Sequence, residues 1–317
     1  SAKDRGGIRG GAEKNLVLGQ PSPSPPQSRI LHLPGGRRLG YAEFGDPGGL
    51  PCFFFHGIPG SRLEAAFTED LAAQHGIRVI GIDRPGMGLS DHVPNRRFLD
   101  WPADVIAVAD ALGIGKFAVT GVSGGSAYVA ACALAIPERL HAAAIISGMG
   151  PQDTPGADRD MRPSRRLLLA LGRRAPRALA LVITPFTSRA ARDPQRYLDE
   201  MAPVMAEADR AVLALPDVRR ILLANFTESF RQGGNGIALD LALYCHHWGF
   251  RLEDITTETH LWHGEADRNV PVAFGRGLAR AISNCRAHFY PNEGHLMAIT
   301  RMPEILQTLI ESIRRSR

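Results

Sequence analysis

From Pro51 onward the sequence alternates short, mostly apolar runs with longer stretches whose apolar residues recur at helical spacing, and that alternation admits few folds. Residues 52–55, 78–82, 117–122 and 142–146 read as strands, too continuously hydrophobic to leave one face in water. Between them, residues 62–74, 101–112 and 126–136 carry apolar side chains at the period of a helix. Buried strands separated by helices imply a parallel sheet covered on both faces, an α/β fold. Upstream, residues 29–33 and 38–44 flank a turn containing Pro34-Gly35-Gly36 and read as a hairpin that begins the sheet.

The alternation breaks at Gly148-Met149-Gly150-Pro151 and resumes only at residues 260–262. The intervening stretch is helical in period, rich in arginine and punctuated by proline, and it predicts an inserted helical cap over 150–250. Residues 272–282 then read as a helix, 287–290 as a last strand and 303–315 as a closing amphipathic helix. Residues 29–149 and 251–317 would therefore form one α/β domain. Residues 1–28, ending in a Pro- and Ser-rich segment with few large apolar side chains, predict a disordered tail.

At 317 residues and 44% hydrophobic content the chain can bury a core without covalent staples. Cys52, Cys132, Cys245 and Cys285 are scattered, with no CxxC pair or metal-ligand spacing, and read as buried, reduced thiols. The net charge of +5 comes from arginines spread through residues 159–196, unaccompanied by zinc-finger spacing, an aromatic RNA-binding motif or a basic heptad. Nucleic acid is not an expected partner. The first residues lack the basic start and apolar core of a secretion signal, which points to the cytoplasm. No apolar run approaches the roughly 20 residues that span a bilayer, so stable membrane insertion is not expected.

Chemistry is carried by Gly121-Val122-Ser123-Gly124-Gly125, a GxSxG sequence between a predicted strand and a predicted helix. Small flanking residues permit the tight, strained turn that lifts a serine hydroxyl above the sheet edge, and the following helix N-terminus favours developing negative charge. A serine hydroxyl needs a base, and the base needs a group that fixes its tautomer. His263-Gly264-Glu265-Ala266-Asp267 and Asn292-Glu293-Gly294-His295 each follow a predicted strand, so Asp267 and His295 emerge at the same sheet edge as Ser123. Glu265 and Glu293 are rival carboxylates that read as solvent-facing loop residues. Asp267 is preferred as the final acid before the chain returns to a helix. The oxyanion donors would be the N–H of Gly124 and, from His56-Gly57-Ile58-Pro59-Gly60, the N–H of Ile58.

These segments, with Asp83-Arg84-Pro85-Gly86-Met87-Gly88-Leu89-Ser90-Asp91, resemble the α/β-hydrolase superfamily over residues 29–316. The resemblance implies a mostly parallel eight-stranded sheet, a triad of Ser123, Asp267 and His295, and no organic cofactor or metal. It makes the Asp83 to Asp91 segment a shaping turn without a catalytic role. Epoxide hydrolases and haloalkane dehalogenases carry aspartate where Ser123 stands, so neither is expected. Proline iminopeptidases share the Asp-Arg-Pro-Gly turn but typically show Trp after the nucleophile, where this chain has Gly124. Their cap carboxylates could be imitated by Glu200, Glu207 or Glu228.

Within the cap, residues 162–186 interleave arginines with leucines and suit a helix pair that lays its apolar face over the active site. Arg165, Arg166 and Arg173 then lie on a solvated face, with capture of an anionic group as the sharper alternative. The expected activity is hydrolysis of a small or medium, largely apolar carboxylic ester through an acyl-enzyme, with His56, Gly57 and Val122 in the substrate pocket. Alternatives are an aminopeptidase or amidase of the proline-iminopeptidase type, a lactone or carbon–carbon bond hydrolase, and a ligand receptor without catalysis. The expected partner is a small-molecule ester, and a homodimer is left open.

Overall fold

The computed structural model describes residues 27–156 and 163–316. Most of the tail expected over 1–28 lies outside these residues, and Ser28 is already the first residue of a strand. Eight strands, β1 (Ser28–His32), β2 (Arg38–Gly45), β3 (Leu50–Phe55), β4 (Ile77–Ile82), β5 (Phe117–Val122), β6 (Leu140–Ile146), β7 (Thr259–Gly264) and β8 (Cys285–Tyr290), form one sheet in the order β1-β2-β4-β3-β5-β6-β7-β8. β2 runs antiparallel to both its neighbours, and every other pairing is parallel.

The two-faced burial expected of the apolar runs is visible residue by residue. In β3, Phe53 and Phe55 join one core layer and Cys52 and Phe54 the other. The first layer takes α2 (Trp101–Ala111) and α3 (Ser126–Ala135) through Trp101, Val105 and Tyr128. On the opposite face, α1 (Glu69–His75) and a C-terminal helix over Met302–Arg315 contribute Ala72, Ile305, Leu309 and Ile313. A chain that hides strands on both sides positions their C-terminal ends, and the loops there, rigidly. The helix expected over 62–74 divides into a 3-10 turn, Arg62–Thr68, followed by α1. That first turn is pinned: the Arg62 N–H donates to Asp83 Oδ1 at 2.6 Å, and the Ser61 hydroxyl accepts from the Leu63 N–H at 3.3 Å.

Between β6 and β7 the described chain passes through α4 (Pro163–Arg174), α5 (Pro176–Arg192), α6 (Pro194–Met201), α7 (Glu207–Leu213), α8 (Pro216–Ser229) and α9 (Asn235–Tyr244). Proline opens α5, α6 and α8, where its missing N–H would have had no helical partner. Much of the proline punctuation is therefore a record of helix starts, Pro185 within α5 being an exception. After β7 come α10 (Val272–Ala281), α11 (Met297–Thr300) and α12 (Met302–Arg315).

Buried polar pairs fasten this insertion to the sheet. Glu228 on α8 meets Arg62 at 2.7 Å, Asn225 Oδ1 accepts the Ser61 N–H at 2.7 Å, and Asp240 on α9 meets Arg84 at 2.7 Å. The α4–α5 pair packs on α9, where Leu179 and Ile183 cluster with Ala238 and Ala242. It turns Leu168, Leu169, Leu179 and Ile183 inward, yet Leu167 and Leu181 remain 70% and 77% exposed. Arg166 and Arg173 are exposed, Arg173 reaching the Cys245 carbonyl at 3.3 Å, while the Arg165 side chain lies outside the described set. Cys52, Cys132 and Cys245 are buried and Cys285 half-buried, all as free thiols. No helix among the described residues is long and apolar enough to cross a membrane.

Candidate active site

Ser123 follows β5 directly and adopts φ 53°, a left-handed conformation that a non-glycine residue holds only when its surroundings enforce it. The enforcement is steric. A β-carbon at Gly125 would lie 2.3 Å from the Phe55 carbonyl oxygen, and one at Gly121 2.7 Å from Val129 Cγ2, so strand, turn and helix close up only with glycine at both positions. Gly124 has a different reason to be glycine, because its β-carbon would lie 2.3 Å from Ile58 Cγ1. The loop after β3 thus lies directly on the turn that carries Ser123, and a tryptophan at 124 would have no room.

That loop is held from behind. The Arg84 guanidinium donates to both the His56 carbonyl and the Gly57 carbonyl, the latter at 2.8 Å. His56 Nε2 accepts the Arg84 N–H at 3.1 Å and its Nδ1 bonds the Gly57 carbonyl at 2.9 Å. Burial foremost, then the neighbouring Arg84, pulls this imidazole well below its ordinary pKa and keeps it neutral. Because the Gly57–Ile58 peptide is trans, a carbonyl turned toward Arg84 turns the Ile58 N–H the opposite way. Tyr244, from α9, donates to the Gly124 carbonyl at 2.9 Å and accepts the Ala127 N–H at 3.1 Å, so a helix of the insertion braces the Ser123 turn as well.

Arg84 is itself wholly buried, and its charge is met by Asp240, which also takes Arg96 and the Tyr128 hydroxyl at 2.6 Å. Burial alone would raise the Asp240 carboxyl, but Arg84 and Arg96 hold it below the usual carboxylate range. Asp240→Asn would leave two guanidinium groups buried against one neutral amide. The expected loss is about 3–5 kcal/mol of stability, checked by urea unfolding at neutral pH. A loss below about 1 kcal/mol would mean the arginines find other counter-charges.

At the far side, Asp267 Oδ2 accepts from His295 Nδ1 at 2.7 Å. Its other oxygen accepts the N–H groups of Asn269 and Val270 at 2.7 and 2.8 Å, which fixes the carboxylate plane. Burial pushes the Asp267 carboxyl upward, and the pull of His295 and these hydrogen bonds outweighs it, leaving the pKa below the ordinary value. The two rivals are engaged elsewhere: Glu265 pairs with Arg276, and Glu293, which the sequence reads as solvent-facing, is buried against Arg301 and the Thr300 hydroxyl. The His295 loop is anchored through the Ser147 hydroxyl, which donates to the His295 carbonyl at 3.2 Å, and through Asp209 of α7, which accepts the Leu296 N–H at 2.7 Å.

Ser123 and His295 both line two adjoining cavities. The smaller, about 110 Å³, is walled by Phe54, Phe67, Val122, Leu198 and Met205, with Glu64 its acidic member. The larger, about 410 Å³, lies under the insertion and is lined by Met149, Leu168, Leu179, Ile183 and Val270. Gly57 and Val122 line the smaller cavity, whereas His56 lines neither and stands fully buried behind the loop. The pocket role read for His56 from sequence is therefore replaced by a supporting one. Arg84 lies in the segment the sequence marks as a shaping turn, whereas Glu64, Asp209, Asp240 and Tyr244 are site-shaping residues the sequence reading did not single out.

The alpha/beta hydrolase fold family matches residues 51–301 of the chain. Among curated proteins, the dihydrolipoyllysine-residue acetyltransferase component of the acetoin cleaving system of Pseudomonas putida is 34% identical over 40% of the chain, and the matched part is only 34% of that protein's length. The 2-hydroxymuconate semialdehyde hydrolase of Pseudomonas putida is 25% identical over 88% of the chain and 91% of its own length. Among solved structures, a thermophilic esterase from Thermogutta terrifontis superimposes with a TM-score of 0.64 at 22% identity, covering 92% of the chain and 99% of that structure. The strand order, the strained serine between β5 and α3 and a family match across most of the chain agree: this protein belongs to the alpha/beta hydrolase fold family.

Proposed function

We propose that the chain is a serine hydrolase that cleaves small or medium, largely apolar carboxylic esters. The observation that carries this reading is the 2.7 Å contact between His295 Nδ1 and Asp267 Oδ2, with His295 and Ser123 facing the same two cavities. In the proposed reaction His295 Nε2 takes the hydroxyl proton as Ser123 Oγ attacks the ester carbonyl, and the N–H groups of Ile58 and Gly124 receive the oxyanion. His295 then protonates the departing alcohol. Water, deprotonated by the same imidazole, releases the acid from Ser123. Asp267 keeps the imidazole in the one tautomer that presents Nε2 as a base. The insertion acts as a cap whose apolar walls favour an apolar substrate and exclude competing water.

A second reading is carbon–carbon bond hydrolysis, favoured by the near full-length alignment with 2-hydroxymuconate semialdehyde hydrolase. The proline-iminopeptidase type is disfavoured: Glu200 lies in exposed pairs with Arg189 and Arg196, Glu207 is exposed and Glu228 is held by Arg62. A fluorophosphonate probe is expected to label wild type once, at Ser123. Turnover of an aryl acetate is expected to exceed that of a prolyl arylamide at least about a hundredfold in kcat/KM, a gap of roughly 2.7 kcal/mol in transition-state binding. Labelling without ester turnover would discard the esterase reading in favour of the carbon–carbon one, and no labelling would discard both.

A further inference from the structure

The smaller cavity contains a carboxylate that the proposed mechanism does not use. Glu64 lies in the 3-10 turn Arg62–Thr68 and faces the cavity between the loop after β3 and the phenylalanines of the wall. Its Oε2 accepts the Gly57 N–H at 2.7 Å, and its Oε1 has no hydrogen-bond partner among the described residues. Glu64 is half-buried, so Oε1 opens onto the cavity as an acceptor to which a group entering there can donate.

The distances say where such a donor would come from. The point beside Gly57 where a β-carbon would stand is 3.6 Å from each Glu64 oxygen and 3.6 Å from Ser123 Cβ. One small group fills the space between the carboxylate and the nucleophile, so only substrate atoms close to the scissile bond can reach Glu64. Gly57 leaves that space open by having no side chain. Its N–H is already given to Glu64, which leaves the Ile58 N–H for the oxyanion and separates the two tasks.

We propose that Glu64 is a specificity-determining residue whose Oε1 accepts a hydrogen bond from a substrate donor, an ammonium or a hydroxyl, carried one or two bonds from the scissile carbonyl. The inference rests on Ser123 being the nucleophile of an ester hydrolase and deepens that reading by naming the substrate class. The charged and titratable groups around Glu64 are Arg84 and His56 behind the loop, His295 across the cavity and Tyr197 in the wall. Burial pushes the Glu64 carboxyl up to about 7, against the smaller downward pulls of the Gly57 amide, Arg84 and His295. An entering cation would therefore meet a group that gains its charge close to neutrality.

The probe set is three 4-nitrophenyl esters on one three-carbon skeleton, of alanine, lactic acid and propanoic acid, with rates corrected for spontaneous hydrolysis. In wild type the alanyl and lactyl esters are expected to exceed the propanoyl ester at least about tenfold in kcat/KM, a difference of roughly 1.4 kcal/mol. Glu64→Gln keeps one oxygen for the Gly57 N–H and turns an amide NH₂ into the cavity, so the acceptor becomes a donor. That advantage is expected to fall at least about tenfold in the variant. An advantage confined to the alanyl ester assigns the site to ammonium groups, and one confined to the lactyl ester to hydroxyls.

Equal loss on all three esters would overturn the proposal, since it would reduce Glu64 to a brace for the loop. So would a wild type that does not discriminate, a result that stands even if the variant fails to fold. Binding of alaninamide, lactamide and propanamide to Ser123→Ala, read by calorimetry, separates this inference from the esterase reading. Tighter binding of the first two, lost in Ser123→Ala with Glu64→Gln, would uphold Glu64 recognition even if no ester turned over. Alaninamide binding should also tighten from pH 5.5 to 7.5 as the carboxyl ionises, and a flat profile would remove the ammonium assignment.

Discussion

Ser123→Ala is expected to lower kcat on an aryl ester by about 10⁵- to 10⁶-fold, leaving at most the residual acceleration that oxyanion donors and binding provide alone. The size follows from the arrangement. A covalent route needs an oxygen presented at the carboxyl edge of the sheet, which is where the left-handed turn at residue 123, with φ 53°, sits in the proposed reading. Alanine is smaller than serine and leaves the flanking contacts of Gly121 and Gly125 as they are. The fold should persist, and because alanine keeps the β-carbon and with it the left-handed strain, thermal unfolding should change little. Stopped assays with a fluorescent ester at high enzyme concentration measure the residue of activity. A loss below about tenfold would move the nucleophile elsewhere.

Asp267→Asn should slow turnover by about 10⁴-fold with little change in KM. The carboxylate accepts from His295 Nδ1 with one oxygen and from two backbone amides with the other. An asparagine oxygen would stay with the backbone amides, and its NH₂ would face Nδ1. That imidazole must then hold its proton on Nε2, where it can no longer act as a base toward Ser123. Because His263 Nε2 also approaches Asp267 Oδ2, at 3.5 Å, and bonds the Val270 carbonyl at 2.9 Å, the loop has a second anchor and should keep its shape. The check is kcat against pH for both proteins. A drop of less than about a hundredfold would transfer the orienting role to another group, such as Asp209 of α7, which accepts the Leu296 N–H beside His295.

The sheet was legible because its strands are buried on both faces, a condition that writes itself as unbroken apolar runs such as Cys52 to Phe55 and Phe117 to Val122. The Ser123 turn was legible for the opposite reason, since close approaches at residues 121, 124 and 125 admit glycine alone and so leave a local motif. Asp267 and His295 could be read because each follows a strand in the chain. Glu64 left no such mark: within the helical period of its segment it resembles any surface glutamate, and only folding carries it into a cavity. Arg84 was read as part of a shaping turn, and its partner Asp240 lies 156 residues away. No local pattern links them. Buried charge pairs between distant segments are specified by three-dimensional complementarity, which periodicity and motif spacing do not encode.

The unequal fastening of the insertion has a consequence for recombination between relatives. Asp209, Asn225, Glu228, Asp240 and Tyr244 each reach into the sheet domain, whereas Leu179 and Ile183 of α5 cluster with Ala238 and Ala242 of α9, inside the insertion itself. A chimera that imports α7 to α9 from another hydrolase must bring matching counterparts for all five or strand charges inside the molecule. Exchange of α4 and α5 leaves these five contacts in place, which makes that pair the segment through which the wall of the larger cavity can be altered while the turns beneath it stay as they are.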